Sequence, residues 1–233
     1  MTIDKPYLKK IETVADFEVW FVDGKYIREK IDEEFTNFGQ HFRFRFIPRH
    51  EFWIDQERTP GEEHFFVDHL LVESRLMAGG MTYDQALEKA DRAELKERRK
   101  TDYIKKGLRP GQPKAEVLAK VHKELLKSYS RHLNIWVADG RIVRDVYFID
   151  YTEGGHDKVY DFIPAREVWL DDDLEVGERK FVLLHEVHER FLMTQGLKYF
   201  PAHRSASRIE YFCRHHPEEL DRKLAEELAK NKE

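Results

Sequence analysis

The chain has 233 residues, 36% of them charged, with a formal net charge of −5 and a single cysteine, Cys213. That length supports one duplicated domain or two small ones, and the slightly acidic balance gives no electrostatic reason to expect nucleic acid as a partner. One cysteine excludes an intramolecular disulfide, MTIDKPYLKK has no apolar signal core, and no apolar run approaches the ~18 residues that span a bilayer, so the chain reads as a soluble, cytoplasmic protein without a membrane partner.

Residues 1–17 form a charged lead-in, with a partial helix expected around Leu8–Ala15. VWFVDGKYIRE reads as a hairpin about Asp23-Gly24, because apolar and β-branched residues flank a tight-turn dipeptide. HFRFRFI (41–47) alternates aromatic and basic residues, as a half-buried strand does. Pro48 ends it, and EFWID (51–55) follows as another strand. A Pro60-Gly61 turn opens helix 62–78, Gly79-Gly80 closes it, and Thr82 caps helix 83–99.

Residues 95–115 are strongly basic, then rich in Gly and Pro, and read as a solvated connector. Residues 115–131 read as an amphipathic helix with Val117, Val121, Leu125 and Tyr129 on one face. A second hairpin is expected over 135–149 about Asp139-Gly140, then a polar turn at 152–156, strand 157–163 and strand EVWLD (167–171). Helix 178–195 ends at Gly196, helix 199–214 follows, and Pro217 opens a last charged helix.

The two halves repeat each other. Residues 18–94 align with 134–210 without a gap: VWFVDGKYIR over IWVADGRIVR, FIPRHEFWID over FIPAREVWLD. Shared positions include Trp20/Trp136, Trp53/Trp169, His69/His185, Glu73/Glu189, Tyr83/Tyr199 and Glu94/Glu210. This is a tandem duplication, with a first repeat in 1–110 and a second in 111–233. The fold class expected is α+β, each repeat a small antiparallel sheet of a hairpin plus short strands followed by two helices, in a pseudo-twofold arrangement. Phe181, Leu184, Val187 and Phe191 are expected in the core. The shared Trp53 and Trp169 read as core anchors, and Arg28/Arg144 are candidate partners of Asp55/Asp171.

The copies differ where chemistry is possible. Glu186 replaces Leu70, His188 replaces Val72 and His203 replaces Leu87. In the second copy His185 and Glu189, four apart on a helix, aim at one point, while Glu186 is turned roughly 100° away. A catalytic zinc ion takes three protein ligands and keeps a fourth position open, and a nearby carboxylate moves the proton. His185 and Glu189 are candidate metal ligands, His203 is the first choice for the third and Glu210 the second. His188 could replace Glu189 from a different flank. Glu186 is the candidate base. Imidazole favours Zn²⁺ over Mg²⁺ and leaves Mn²⁺, Fe²⁺ and Ni²⁺ open. His215 and His216 read as a helix terminus.

The run His185-Glu186-Val187-His188-Glu189, with EVWLD before it and His203 on the next helix, resembles the zincin metallopeptidases, Glu189 standing where their HExxH motif has its second histidine. The resemblance covers roughly residues 160–212. It implies a metal ligand at His185, a general base at Glu186, a third ligand at His203 or Glu210, and a peptide or protein substrate lying along 167–171. The function expected is therefore a metal-dependent hydrolase of peptide or amide bonds, active in the second repeat. The alternative is a duplicated, non-enzymatic interaction module in which both His–Glu pairs are structural.

Overall fold

The computed structural model describes residues 6–57, 60–100 and 114–232. Most of the basic connector and the first residues of the lead-in therefore lie outside the described residues. The protein is mixed α+β with two four-stranded sheets, each followed by helices. It divides into two compact units, residues 1–112 with 144–150, and residues 113–143 with 151–233.

In the first unit, β1 (Tyr7–Val14) and β2 (Phe17–Val22) form an antiparallel hairpin, followed by α1 (Gly24–Lys30), β3 (Phe38–Gln40), β4 (Glu51–Asp55), α2 (Glu63–Ala78) and α3 (Tyr83–Arg98). The strand order is β1-β2-β4-β3. The central pair β2–β4 is parallel, with Val19 opposite Phe52 and Phe21 opposite Ile54, so the sheet is mixed and not antiparallel. Val19, Phe52 and Ile54 pack against Phe66, Val67 and Leu70 of α2. Burying such side chains contributes roughly 1.5–3 kcal/mol each. That face fixes α2 on the sheet.

The second copy repeats the plan: α4 (Lys114–Val121), β5 (His122–Leu125), β6 (Asn134–Ala138), α5 (Gly140–Val146, its residues from Arg144 on belonging to the first unit), β7 (Gly154–His156), β8 (Glu167–Asp171), α6 (Arg179–Thr194) and α7 (Tyr199–His215). A 3₁₀ turn (Pro217–Glu219) and α8 (Leu220–Lys230) close the chain. Strand order is β5-β6-β8-β7, again with a parallel centre. Phe181, Leu184 and Val187 of α6 join Ile135, Val168 and Leu170 in one core, with Leu220 and Leu224 of α8 covering it. Phe191 lies at the rim, half-buried under Lys230. No helix among the described residues is long and apolar enough to cross a membrane.

Several sequence expectations are corrected. Asp23-Gly24 and Asp139-Gly140 are helix starts, not hairpin turns. The Asp23 carboxylate accepts from the Tyr26 N–H at 2.9 Å, and Asp139 accepts from Ile142 at 2.9 Å, the standard N-cap bond. Gly24 is needed because a Cβ there would lie 1.7 Å from the Asp55 carboxylate, and one at Gly140 would lie 2.1 Å from Asp171. The hairpin instead turns at Ala15, whose φ is 51°.

Stretches 41–47 and 157–163 are turns. Phe44 N–H donates to Gln40 O and Ile47 N–H to Phe44 O, so the buried residues Phe44 and Ile47 recur at three. The sequence stretch 152–156, expected as a turn, supplies β7. Of the stretch 8–15, expected as a partial helix, residues 8–14 lie in strand β1 and Ala15 in the turn. The helix expected over 115–131 stops at Val121, because the next residues pair with β6, Leu125 facing Trp136. Arg28 does bind Asp55, at 2.8 Å, and Glu57. Arg144, which belongs to the first unit, reaches Glu62 of the same unit at 2.6 Å. Trp53 and Trp169 are buried, as expected of core anchors.

Candidate metal centre

Three short elements of the second unit converge. α6 carries His185, Glu186 and Glu189, α7 carries His203 and Glu210, and β7 carries His156. Their meeting follows from the core, because α6 lies on the sheet through Phe181, Val182 and Leu184, which turns His185 and Glu189 toward α7. Gly154 lets β7 come close: a Cβ there would lie 3.0 Å from Trp169 O and 3.3 Å from Glu186 Cγ.

Three ligand atoms face one another. His185 Nε2 lies 3.1 Å from His203 Nδ1. Glu189 Oε2 lies 2.8 Å from His203 Nδ1 and 3.6 Å from His185 Nε2. A tetrahedral zinc ion with bonds of 2.0–2.1 Å needs its ligand atoms about 3.3 Å apart. The three separations bracket that value, so the residues fit such an ion. His185, Glu189 and His203 form a group that could hold a metal ion, and His156, Glu186 and Glu189 form a second group sharing Glu189.

Glu210 lies elsewhere than the sequence expectation put it. Its carboxylate is 2.9 Å from His185 Nδ1, on the opposite side of the ring from Glu189 and His203. It accepts that N–H and leaves Nε2 directed inward, the outer-shell arrangement that orients metal-ligating histidines. Arg214 holds Glu210 at 2.7 Å and Glu178 at 2.6 Å. His188 faces another flank, 2.9 Å from Ser205 Oγ and 3.0 Å from Glu227, so it does not replace Glu189. His215 and His216 end α7, away from the group.

The electrostatics follow from burial against charge. Burial raises the Glu186 carboxyl to about 8, the neighbouring Glu189 adding to the rise and His185 opposing it. Burial would likewise raise Glu189 and Glu210, but hydrogen bonds outweigh it. His156, His185 and His203 hold Glu189 far below the carboxylate range, and His185 with Arg214 holds Glu210 at about 2. For His185 burial alone would lower the pKa, yet the Glu189 and Glu210 carboxylates keep it well above the ordinary value. The site is accessible, His203 being 31% exposed against 12% for His185.

The first unit has the frame without the full set. His69 Nδ1 lies 2.9 Å from Glu94 and its Nε2 3.4 Å from Glu73. Leu70 and Leu87 take the places of Glu186 and His203, and Phe38, where the second copy has Gly154, lies against His69 with ring centroids 5.2 Å apart.

Sequence reasoning missed His156. Its 3.0 Å contact to Glu189 Oε1 was signalled by the repeat, which aligns it with Gln40, another polar residue at the end of a three-residue strand. The peptide path along 167–171 is overturned: β8 is flanked by β6 and β7 on its two edges and wholly buried, so its backbone has no edge to offer a substrate. No protein-family model, curated protein or solved structure matches this chain.

Proposed function

We propose that the second unit is a zincin-like metal-dependent hydrolase of peptide or amide bonds, holding Zn²⁺ through His185, Glu189 and His203. The observation that supports this reading is the mutual spacing of the three ligand atoms, 3.1, 2.8 and 3.6 Å, with the Nδ1–H of His185 already committed to Glu210. When bound there, the ion supplies Lewis acidity to a carbonyl and acidity to water. Glu186 is the proton carrier: buried beside His185 and Glu189, it would take a proton from water as the carboxylate and return it to a leaving amine. Glu210 and Arg214 keep the His185 ring from rotating.

Elemental analysis after loading with Zn²⁺ tests the site. About one ion per wild-type chain is expected, lost in folded His185→Ala and His203→Ala; full-affinity binding in His185→Ala would end the proposal. Glu186→Gln, assayed on a peptide library, should keep the metal and lose turnover.

A second reading has its own support. His69, Glu73, Glu94 and Gln40 keep the same bonds in the first unit without a proton carrier or second imidazole. On that reading both networks are structural and the chain is an interaction module. Metal-free, folded wild-type protein after loading would favour it.

A further inference from the structure

We propose that His156 is a positioning residue for Glu189, an inference that rests on the metal reading above. The backbone N–H of Lys158 donates to His156 Nδ1 at 3.1 Å. A backbone amide can only donate, so Nδ1 carries the lone pair and the ring proton sits on Nε2. That Nε2–H points at Glu189 Oε1, 3.0 Å away, with the imidazole completely buried. Two consequences follow. His156 has no Nε2 lone pair to give a cation, so His156, Glu186 and Glu189 do not make a second metal site despite lying within 4.8 Å of one another. And Glu189 is fixed by its back oxygen, which turns Oε2 toward His185 and His203. Ligating carboxylates are held by such outer partners as ligating histidines are.

The first unit supplies an internal control. Gln40, aligned with His156, donates its amide N–H to Glu73 Oε1, and Glu73 is aligned with Glu189. Both strands end at this residue, Gln40 opposite Phe52 and His156 opposite Val168. One donor on the last residue of the edge strand, aimed at the second carboxylate of the helix, is thus common to both copies. The role needs an N–H and not an imidazole.

The test compares wild type, His156→Gln and His156→Leu for Zn²⁺ affinity, by competition with a chromophoric chelator, and for metal content by elemental analysis. His156→Gln should bind within about threefold of wild type, and His156→Leu about 10–100-fold more weakly, each with one ion per chain at saturation. Urea unfolding of the metal-free proteins separates lost positioning from lost fold, and the Gln variant carries the test if the Leu variant does not fold. Wild-type affinity in folded His156→Leu overturns the inference. So does a wild type holding two ions of which His156→Gln loses one, since that makes the imidazole a ligand. Absence of binding by wild type instead removes the metal reading, and this inference with it.

Discussion

His69 Nδ1 and the Glu94 carboxylate stand 2.9 Å apart, the same separation as their aligned partners His185 and Glu210. The duplicated chain has kept this joint between its two paired helices, with the arginine behind it (Arg98 on Glu94, Arg214 on Glu210), while exchanging Leu70 for Glu186 and Leu87 for His203 beside it. In the first unit the joint is sealed, His69 being 1% exposed, whereas His185 is 12% exposed.

Sealing predicts unequal stabilities. His69→Ala leaves Glu73 and Glu94 buried without the group between them, and breaking such a pair costs about 3–5 kcal/mol. His185→Ala, in metal-free protein, opens a site that water can already enter, so about 1–3 kcal/mol is expected; the arginines do not separate the two variants, since Arg98 holds Glu94 as Arg214 holds Glu210. Urea midpoints in chelator-containing buffer check the order. Equal or inverted losses would show that the two joints are not buried as described.

His69 also sets a pH dependence. Burial alone would lower its pKa, but Glu73 and Glu94 raise it to about 10, against about 6.5 in the unfolded chain. A folded pKa above the unfolded one means that this contribution is complete below pH 6.5 and is lost as pH rises through 10. Asp91 and Asp150 also face this group. Burial, with Asp150 beside it, raises Asp91 to about 7, and burial raises Asp150, so both destabilise as they ionise, in the same direction as His69. Wild type should therefore lose stability relative to His69→Gln between pH 7 and 10, by at most about 1.4 kcal/mol per unit. A gap that widens with rising pH would contradict the assignment.

How far the sequence announced this molecule depends on which force shapes each element. α2, α3, α6 and α7 were readable because apolar residues recur at helical spacing and glycines, such as Gly80 and Gly196 at φ near +90°, stop α2 and α6. β1 (YLKKIETV) was not, since it is a charged edge strand that gains its conformation only by pairing with β2. Asp23-Gly24 carries the residues of a tight turn, and the choice of helix start is made by Asp55 from thirty-one residues away. At the site, His185, Glu189 and His203 could be found from helical spacing and the repeat. The roles of Glu210 and His156 could not, because both depend on which ring nitrogen each neighbour faces.

Glycine substitution separates two reasons for glycine. Gly24→Ala drives a Cβ into the Asp55 carboxylate, which Arg28 holds and which is 1% exposed. Overpacking plus disruption of a buried ion pair should cost at least about 3 kcal/mol. Gly80→Ala meets no atom within 4 Å but keeps a φ of +90°, so strain alone applies, about 1–2 kcal/mol. Denaturant midpoints of the two variants decide it. A milder effect at Gly24 than at Gly80 would mean that the Asp55–Arg28 pair yields freely.

Metal should act as a stabiliser of the second unit alone. A ligand that binds only the native state adds RT ln(1 + [L]/Kd), about 2.7 kcal/mol at a hundredfold excess over Kd. Zn²⁺ bound by His185, Glu189 and His203 ties α6 to α7, so it should slow hydrogen exchange of amides in Arg179–Thr194 and Tyr199–His215 while leaving Glu63–Ala78 and Tyr83–Arg98 unchanged. The aligned first-unit helices are the control, since Leu87 stands there in place of His203. Adding excess chelator should reverse the protection, and Glu189→Gln should abolish it, because the neutral amide weakens the only anionic ligand. Protection of both helix pairs by Zn²⁺ would point to binding outside the proposed centre.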